Sequence, residues 1–123
     1  MTDSLALVVT TSPTANATHT AYKVVEQAIA NNVDVIGVFF YQDGVLNASK
    51  YLSVASDETQ VISLWQQLQL QHNIALHLCA TAAEKRGLIH PENDTALLHS
   101  EFTLSGLGEL VMLTNKASKV VQL

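Results

Sequence analysis

Residues 33–41 read VDVIGVFFY, and this stretch gives the clearest indication of the fold. Its β-branched and aromatic side chains are typical of a β-strand. A second apolar run, LALVV at residues 5–9, ends at the polar segment 10–13. Unbroken apolar runs of this kind are typical of parallel strands that are covered on both faces. The two runs therefore predict the first two strands of a parallel sheet.

Helical stripes follow each of these strands. Apolar residues recur at helical spacing over residues 18–31 and again over residues 61–68. We expect Ser56 to cap the second of these helices, because a serine hydroxyl can accept hydrogen bonds from unpaired N–H groups. Asp57 and Glu58 would then lie in the positive first turn of the helix.

The rest of the chain continues the alternation of strands and helices. Residues 74–79 (IALHLC) predict a third strand, and residues 80–86 predict a short helix that ends at Gly87. The remaining predicted segments are an irregular stretch at 90–102 with one helical turn around 96–98, a helix from 105 to about 115, and a final strand at 119–123.

This order of elements predicts the architecture. The chain of 123 residues has no repeat and no internal linker, so we expect a single domain over residues 1–123. Alternating strands and helices predict an α/β fold with a parallel, or mostly parallel, sheet that is flanked by helices on both faces. In such sheets, ligands bind at the carboxyl ends of the strands. The stretch 42–57 lacks periodicity and predicts a long loop, which is often functional.

Composition excludes several partners and compartments. The net charge is −5, whereas phosphate binding needs a surplus of Lys and Arg, so we expect no direct contact with nucleic acid. No apolar segment is long enough to cross a bilayer, and residues 1–4 carry no basic residue of a signal peptide. We therefore expect a cytoplasmic protein with no membrane contact. A single cysteine excludes an internal disulfide.

Cys79 is the strongest candidate for chemistry. It ends the third predicted strand and directly precedes a helix, whose first turn carries unpaired N–H groups and partial positive charge. Such a position favours the thiolate, which is the nucleophilic form of cysteine. A single activated thiol with few other catalytic groups suggests carrying a group more than transforming one, and since a carried group has to be presented to a partner, we expect an exposed thiol. The alternative is a small buried hydrophobic residue, because free cysteines are among the most buried residue types.

The other candidate residues carry weaker signals. His77 shares a strand face with Cys79, but a packed, hydrogen-bonded histidine is the favoured interpretation. Lys85 and Arg86 could attract an anionic partner, although cations are common in the last turn of a helix. Gly106 and Gly108 give half of a dinucleotide-binding loop at the wrong place in the fold, so close packing of the helix start against neighbouring backbone explains them better. The histidines have no ligand spacing and the sequence has no phosphate loop, so we expect no metal, flavin or nucleotide cofactor.

Segments that cover nearly the whole chain resemble the DsrE/TusD family, and its TusD branch most of all. They are Phe39-Phe40-Tyr41 with Gly44-Val45 and Asn47-Ala48, Ser56-Asp57-Glu58, Trp65-Gln66-Gln67-Leu68 with His72, Cys79-Ala80-Thr81-Ala82-Ala83 with Arg86-Gly87, Phe102-Thr103-Leu104-Ser105-Gly106-Leu107-Gly108, and Val120-Val121-Gln122. Two segments depart from the family pattern. Residues 88–102 look shortened, and residues 13–19 diverge, so both can alter docking surfaces.

The resemblance implies a DsrE-like, flavodoxin-like fold and the activity of a sulfurtransferase subunit. By the same resemblance, Cys79 receives persulfide sulfur from a TusA-like donor and passes it to a TusE-like acceptor. TusB- and TusC-like sister subunits would complete a heterohexamer. The sulfur would end as the 2-thio group of the wobble uridine in tRNA.

Three alternatives remain open at the level of sequence. A DsrE-type subunit in sulfur oxidation would use the same thiol chemistry in another pathway. A structural subunit would build an oligomer, either of sister subunits or of identical chains, with an idle cysteine. A flavodoxin-like module that binds a small molecule would need a phosphate loop, which the sequence lacks.

Overall fold

A computed structural model of the protein describes residues 3–90 and 94–123. Residues 1–2 and 91–93 lie outside the described residues. They include the start of the chain, on which the prediction about a signal peptide rests, and part of the irregular segment that was predicted at 90–102.

A five-stranded parallel sheet forms the centre of the fold, in the order β4-β3-β2-β1-β5. The strands are β1 (Ser4–Val9), β2 (Asp34–Phe40), β3 (Leu76–Cys79), β4 (Phe102–Ser105) and β5 (Lys119–Gln122). The structure confirms the predicted α/β class, and β1 and β2 pair in the middle of the sheet. Both strands have neighbours on each side, and their long apolar runs are buried because helices cover the two faces of the sheet.

Within the described residues, four α-helices connect the strands. They are α1 (Asn16–Ala30), α2 (Val61–His72), α3 (Ala80–Lys85) and α4 (Leu107–Lys116). The part of the chain that was predicted to be a long loop begins with a 3₁₀ helix, Gln42–Ala48. The predicted ends of two helices are confirmed, because Asn32 after α1 and Gly87 after α3 both adopt positive φ, at 60° and 72°.

Strand β4 was not predicted. The sequence analysis assigned residue 102 to an irregular segment and residue 105 to the start of a helix, whereas Phe102–Ser105 pairs with β3. Only four residues take part, and only Phe102 among them is fully buried. A strand this short at the edge of a sheet leaves too little periodicity to recognise.

The predicted cap of α2 is also wrong. The helix begins at Val61 with Gln60 as its N-cap, and no acidic residue lies in its first turn. Ser56 instead belongs to a turn in which the Glu58 N–H donates to the Ala55 carbonyl. The Gln60 side chain stabilises this turn by donating to the Ala55 carbonyl at 2.9 Å. Local hydrogen bonds therefore hold residues 56–59 outside the helix.

The helical turn predicted around 96–98 is a plain turn. Leu98 forms an isolated antiparallel bridge with Ser49, which follows the 3₁₀ helix. The Lys50 N–H donates to the Leu97 carbonyl at 2.8 Å. The segment before β4 is thus attached to the loop after β2.

One face of the sheet is closed by α1 and α2. Trp65 of α2 makes edge-to-face contacts with Phe40 of β2 and Tyr22 of α1, with ring centroids 5.2 and 5.5 Å apart. Its indole N–H donates to the buried Asn47 side chain at 3.2 Å. This aromatic cluster extends through Phe40 to Phe102 of β4.

The opposite face is covered by α4. Leu113 is the only fully buried residue of that helix, and it packs above Gly37 of β2. Phe39 lies on the same face as Gly37, because strand residues two apart point to one side. Helices therefore flank the sheet on both faces, as predicted. Among the described residues, no helix is long and apolar enough to span a membrane.

Candidate functional site

Cys79 lies at the carboxyl end of β3, and the next residue begins α3. The alanine-rich sequence after it favours a helix, so the change from strand to helix occurs at Cys79 itself. The predicted position is confirmed, but the expectation of an exposed thiol is wrong. Only 1% of the Cys79 surface is accessible. The thiol is reached through a cavity and does not lie on the outer surface.

This cavity, which we call the Cys79 cavity, has a volume of about 270 Å³. Its lining residues are Tyr41, Gln42, Cys79, Thr81, Ala82, Lys85, Arg86 and Leu107. They come from the ends of β2 and β3, from α3, and from the start of α4. The cavity therefore lies at the carboxyl ends of the strands, where α/β proteins bind ligands.

The segment after β2 is held tightly against β1. The Tyr41 N–H donates to the Val9 carbonyl at 2.9 Å, and the Gly44 N–H donates back to the Tyr41 carbonyl at 2.8 Å. A Cβ atom at Gly44 would lie 1.9 Å from the Val9 carbonyl oxygen, so only glycine fits. Between them, Gln42 adopts a left-handed φ of 51°, which is unusual for a residue other than glycine. Gln42 thus lines the cavity in a conformation that its neighbours impose.

Arg86 ties the end of α3 to the 3₁₀ helix. Its Nε and Nη2 atoms each lie 3.0 Å from Asp43 Oδ1, and its Nη1 atom donates to the Ala82 carbonyl at 3.1 Å. The guanidinium is therefore fixed in place at the cavity, with part of its charge offset by Asp43. No ion pair involves Lys85 within residues 3–90 and 94–123.

His77 belongs to a hydrogen-bonded cluster between the sheet and α4. Its Nδ1 atom lies 3.0 Å from Ser105 Oγ, and its Nε2 atom lies 3.5 Å from a Glu109 carboxylate oxygen. The ring also stacks on Phe39, with centroids 6.5 Å apart. Burial lowers the pKa of His77, and the Glu109 carboxylate opposes part of that shift. The interpretation as a packed, hydrogen-bonded histidine is confirmed.

The structure brings some predicted residues together and leaves others apart. Cys79, Lys85 and Arg86 share the cavity, whereas His77 does not line it. The paired glycines lie at the start of α4, with Gly106 as the N-cap, and neither is confined by neighbouring atoms. Close packing, which was the explanation offered for them, is therefore wrong.

Sequence analysis named no role for five of the residues that line the cavity, of which Thr81 and Ala82 follow Cys79 closely in α3 and the other three lie on separate segments. Tyr41 and Gln42 directly follow a strand, and Leu107 opens α4. The sequence could have indicated Tyr41 and Gln42, because they follow the end of a parallel strand, where such proteins bind ligands. No pattern in the sequence indicated Leu107. Its position beside Cys79 depends on the pairing of β3 with the unpredicted β4, in which Cys79 aligns with Ser105.

Comparisons with known proteins agree on the fold and on the family. The model of the DsrE/DsrF-like family matches residues 3–123. The structure is also similar to the crystal structure of the ychN protein from E. coli, with a TM-score of 0.81. That likeness covers 100% of both chains at 18% sequence identity, so it supports the fold alone.

Proposed function

Because the chain belongs to the DsrE/DsrF-like family, a family associated with sulfur transfer, we propose that it carries sulfur as a persulfide on Cys79. A role of the sulfur-relay type follows from the family in general terms. The assignment of that role to Cys79 and to a particular pathway is the proposal.

The observation that carries this proposal is the position of Cys79 in the wall of the Cys79 cavity. Cys79 is the only cysteine, it ends a central strand, and its cavity is bordered by Lys85 and Arg86. A persulfide formed there is anionic in its reactive form, and cationic side chains nearby stabilise it. Loading transfers the terminal sulfur of a donor persulfide to the Cys79 thiolate. The bond between the donor's two sulfur atoms breaks, and the donor leaves as a thiolate.

The pathway that we propose is the one implied by resemblance to TusD. A TusA-like protein would supply the sulfur, a TusE-like protein would accept it, and the sulfur would reach the wobble uridine of tRNA as a 2-thio group. Only the acceptor side of this relay would contact tRNA, since the chain carries a net charge of −5.

The open face of α4 supports an assembly with sister subunits. Leu107, Val111 and Met112 are 48%, 56% and 60% exposed, and Leu107 also borders the Cys79 cavity. Exposed apolar residues that cluster on one helix often mark a protein contact. We propose that TusB- and TusC-like subunits take part in the assembly, with a homo-oligomer as the alternative. A strictly monomeric protein in light scattering, with the sister subunits present, would contradict this.

The test of the carrier role is sulfur loading of Cys79→Ser. The purified protein is incubated with a persulfide donor, and the labelled peptide is located by mass spectrometry. We expect wild type to gain one sulfur atom on the Cys79 peptide and Cys79→Ser to gain none, with its fold retained because the two side chains differ little in volume. Ser63→Ala, which removes an exposed hydroxyl of α2 away from the cavity, is the matched control and should load normally.

Two results would contradict the proposal. One is a native Cys79 thiol that no persulfide donor modifies, which would favour the structural subunit with an idle cysteine. The other is a Cys79→Ser variant that still supports transfer.

The pathway is tested separately by measuring 2-thiouridine in tRNA from cells that lack the gene. A normal level would favour the alternative of a subunit in sulfur oxidation.

A further inference from the structure

We propose that the Cys79 cavity accepts a small anionic sulfane-sulfur donor directly, with thiosulfate as the simplest example, and that Lys85 and Arg86 recognise its charge. The inference rests on the proposed carrier role of Cys79 and adds the chemical class of a donor.

Burial of the thiol limits the size of the donor. Cys79 is 1% exposed, so a group on a rigid protein surface reaches it only by entering the cavity. That cavity, at about 270 Å³, is smaller than the sites of about 300–1,000 Å³ that hold drug-sized ligands. A donor of a few heavy atoms fits such a space without any movement of the surrounding helices.

The lining selects for negative charge. Lys85 and Arg86 border the cavity, and none of its lining residues within the described part of the chain is a carboxylate. This differs from the chain as a whole, whose net charge is −5. Gln42 and Thr81 add an amide and a hydroxyl, which can donate hydrogen bonds to an oxyanion. Because Asp43 and the Ala82 carbonyl fix Arg86, little side-chain freedom is lost when an anion binds.

The transfer balances without any further reactant. The Cys79 thiolate, whose proton has passed to solvent, attacks the outer sulfur of thiosulfate. A new sulfur–sulfur bond forms on Cys79, the sulfur–sulfur bond of thiosulfate breaks, and its electron pair leaves with sulfite. The products are the Cys79 persulfide anion and sulfite. The sulfane sulfur moves from one partner to the other, so no external oxidant or reductant is consumed.

The experiment measures single-turnover loading of the full-length protein with thiosulfate, by sulfite release and by intact mass. Parallel reactions use glutathione persulfide and a protein-bound persulfide as donors. Lys85→Gln should raise the thiosulfate concentration needed for half-maximal rate by about fivefold, the effect of losing one partly exposed charge. Lys85→Arg should restore it. Lys116→Gln, which removes a charge at the far end of α4, is the matched control and should behave as wild type.

The outcomes separate this inference from the proposed function. Loading by thiosulfate with the Lys85 dependence described supports the inference. Loading by the protein persulfide alone overturns it and leaves the carrier role intact. Loading by thiosulfate that is unchanged in Lys85→Gln overturns the recognition by charge. Failure of every donor to load Cys79 overturns the carrier role and this inference together.

Discussion

The two faces of the sheet are closed to different degrees. On one face, α2 contributes Val61, Ile62, Trp65 and Leu68 to the core, and α1 packs beside it. On the other face, α4 buries only Leu113 and leaves Leu107, Val111 and Met112 exposed. The adjacent residues Phe39 and Phe40 point to opposite faces, so one strand serves both.

This difference between the two faces indicates which part of the molecule contributes most to stability and which part forms the candidate site. The α1–α2 face holds the interlocked aromatic rings and the buried Trp65–Asn47 hydrogen bond. The α4 face holds the polar cluster of His77, and the start of α4 borders the Cys79 cavity. A helix with few buried contacts can shift at a lower free-energy cost than one embedded in the core. We therefore expect large effects on stability from the first face and effects on the site from the second.

The largest effect is expected at Trp65. Trp65→Ala removes a fully buried ring and leaves the side-chain Oδ1 of Asn47 without its donor, so we expect the free energy of unfolding to fall by about 3–5 kcal/mol. Urea denaturation followed by circular dichroism measures the change. Trp65→Phe keeps most of the ring volume and should lose less. A Trp65→Ala variant with the midpoint of wild type would remove the contrast between the faces.

A smaller loss is expected from the α4 face. Leu113→Ala should reduce the free energy of unfolding by about 2–3 kcal/mol, the lower part of the range for buried leucine, because α4 contributes no other fully buried residue. Met112→Ala, its exposed neighbour, is the matched control and should change stability by less than about 0.5 kcal/mol. If Leu113→Ala costs as much as Trp65→Ala, the two faces are equally important to the fold.

His77 should make stability depend on pH. Its pKa in the folded protein lies below the ordinary value of 6.5, because burial penalises the charged ring more than Glu109 favours it. The unfolded chain therefore binds the proton more readily than the folded protein does. The stability that His77 contributes is fully present above pH 6.5 and is lost as the pH falls through the folded pKa. Urea midpoints across this range should fall less steeply in His77→Gln. His72→Gln, which changes an exposed histidine of α2, should keep the slope of wild type.

The smallest effect on stability is expected at Asp43. Asp43→Asn breaks an ion pair whose carboxylate side chain is 66% exposed, so the loss should not exceed about 1 kcal/mol. The same change removes the carboxylate that offsets the Arg86 charge, while the Ala82 carbonyl still holds the guanidinium, so loading by thiosulfate should become faster. Rates of sulfite release for wild type and Asp43→Asn measure this. Slower loading would show that fixing Arg86 matters more than its net charge.

Most of the architecture could be predicted from the sequence because it follows from local patterns. Long apolar runs marked β1 and β2, helical periodicity marked α1 and α2, and Gly87 marked the end of α3. The position of Cys79 between a strand and a helix came from the same reasoning. Strand β4 was not predicted, and the start of α2 was predicted wrongly. A four-residue edge strand and a turn stabilised by a side chain leave little periodic signal.

By itself, the sequence determined the strands and α-helices other than β4, and which residue carries the only thiol. The tertiary structure alone decided that Cys79 is buried, and that Tyr41, Gln42 and Leu107 border its cavity. It also decided that Leu107, Val111 and Met112 of α4 remain exposed, while Val61, Ile62, Trp65 and Leu68 of α2 are buried. The physical reason is that local patterns report the period of each element, whereas burial depends on strand order and on contacts between residues far apart in the chain.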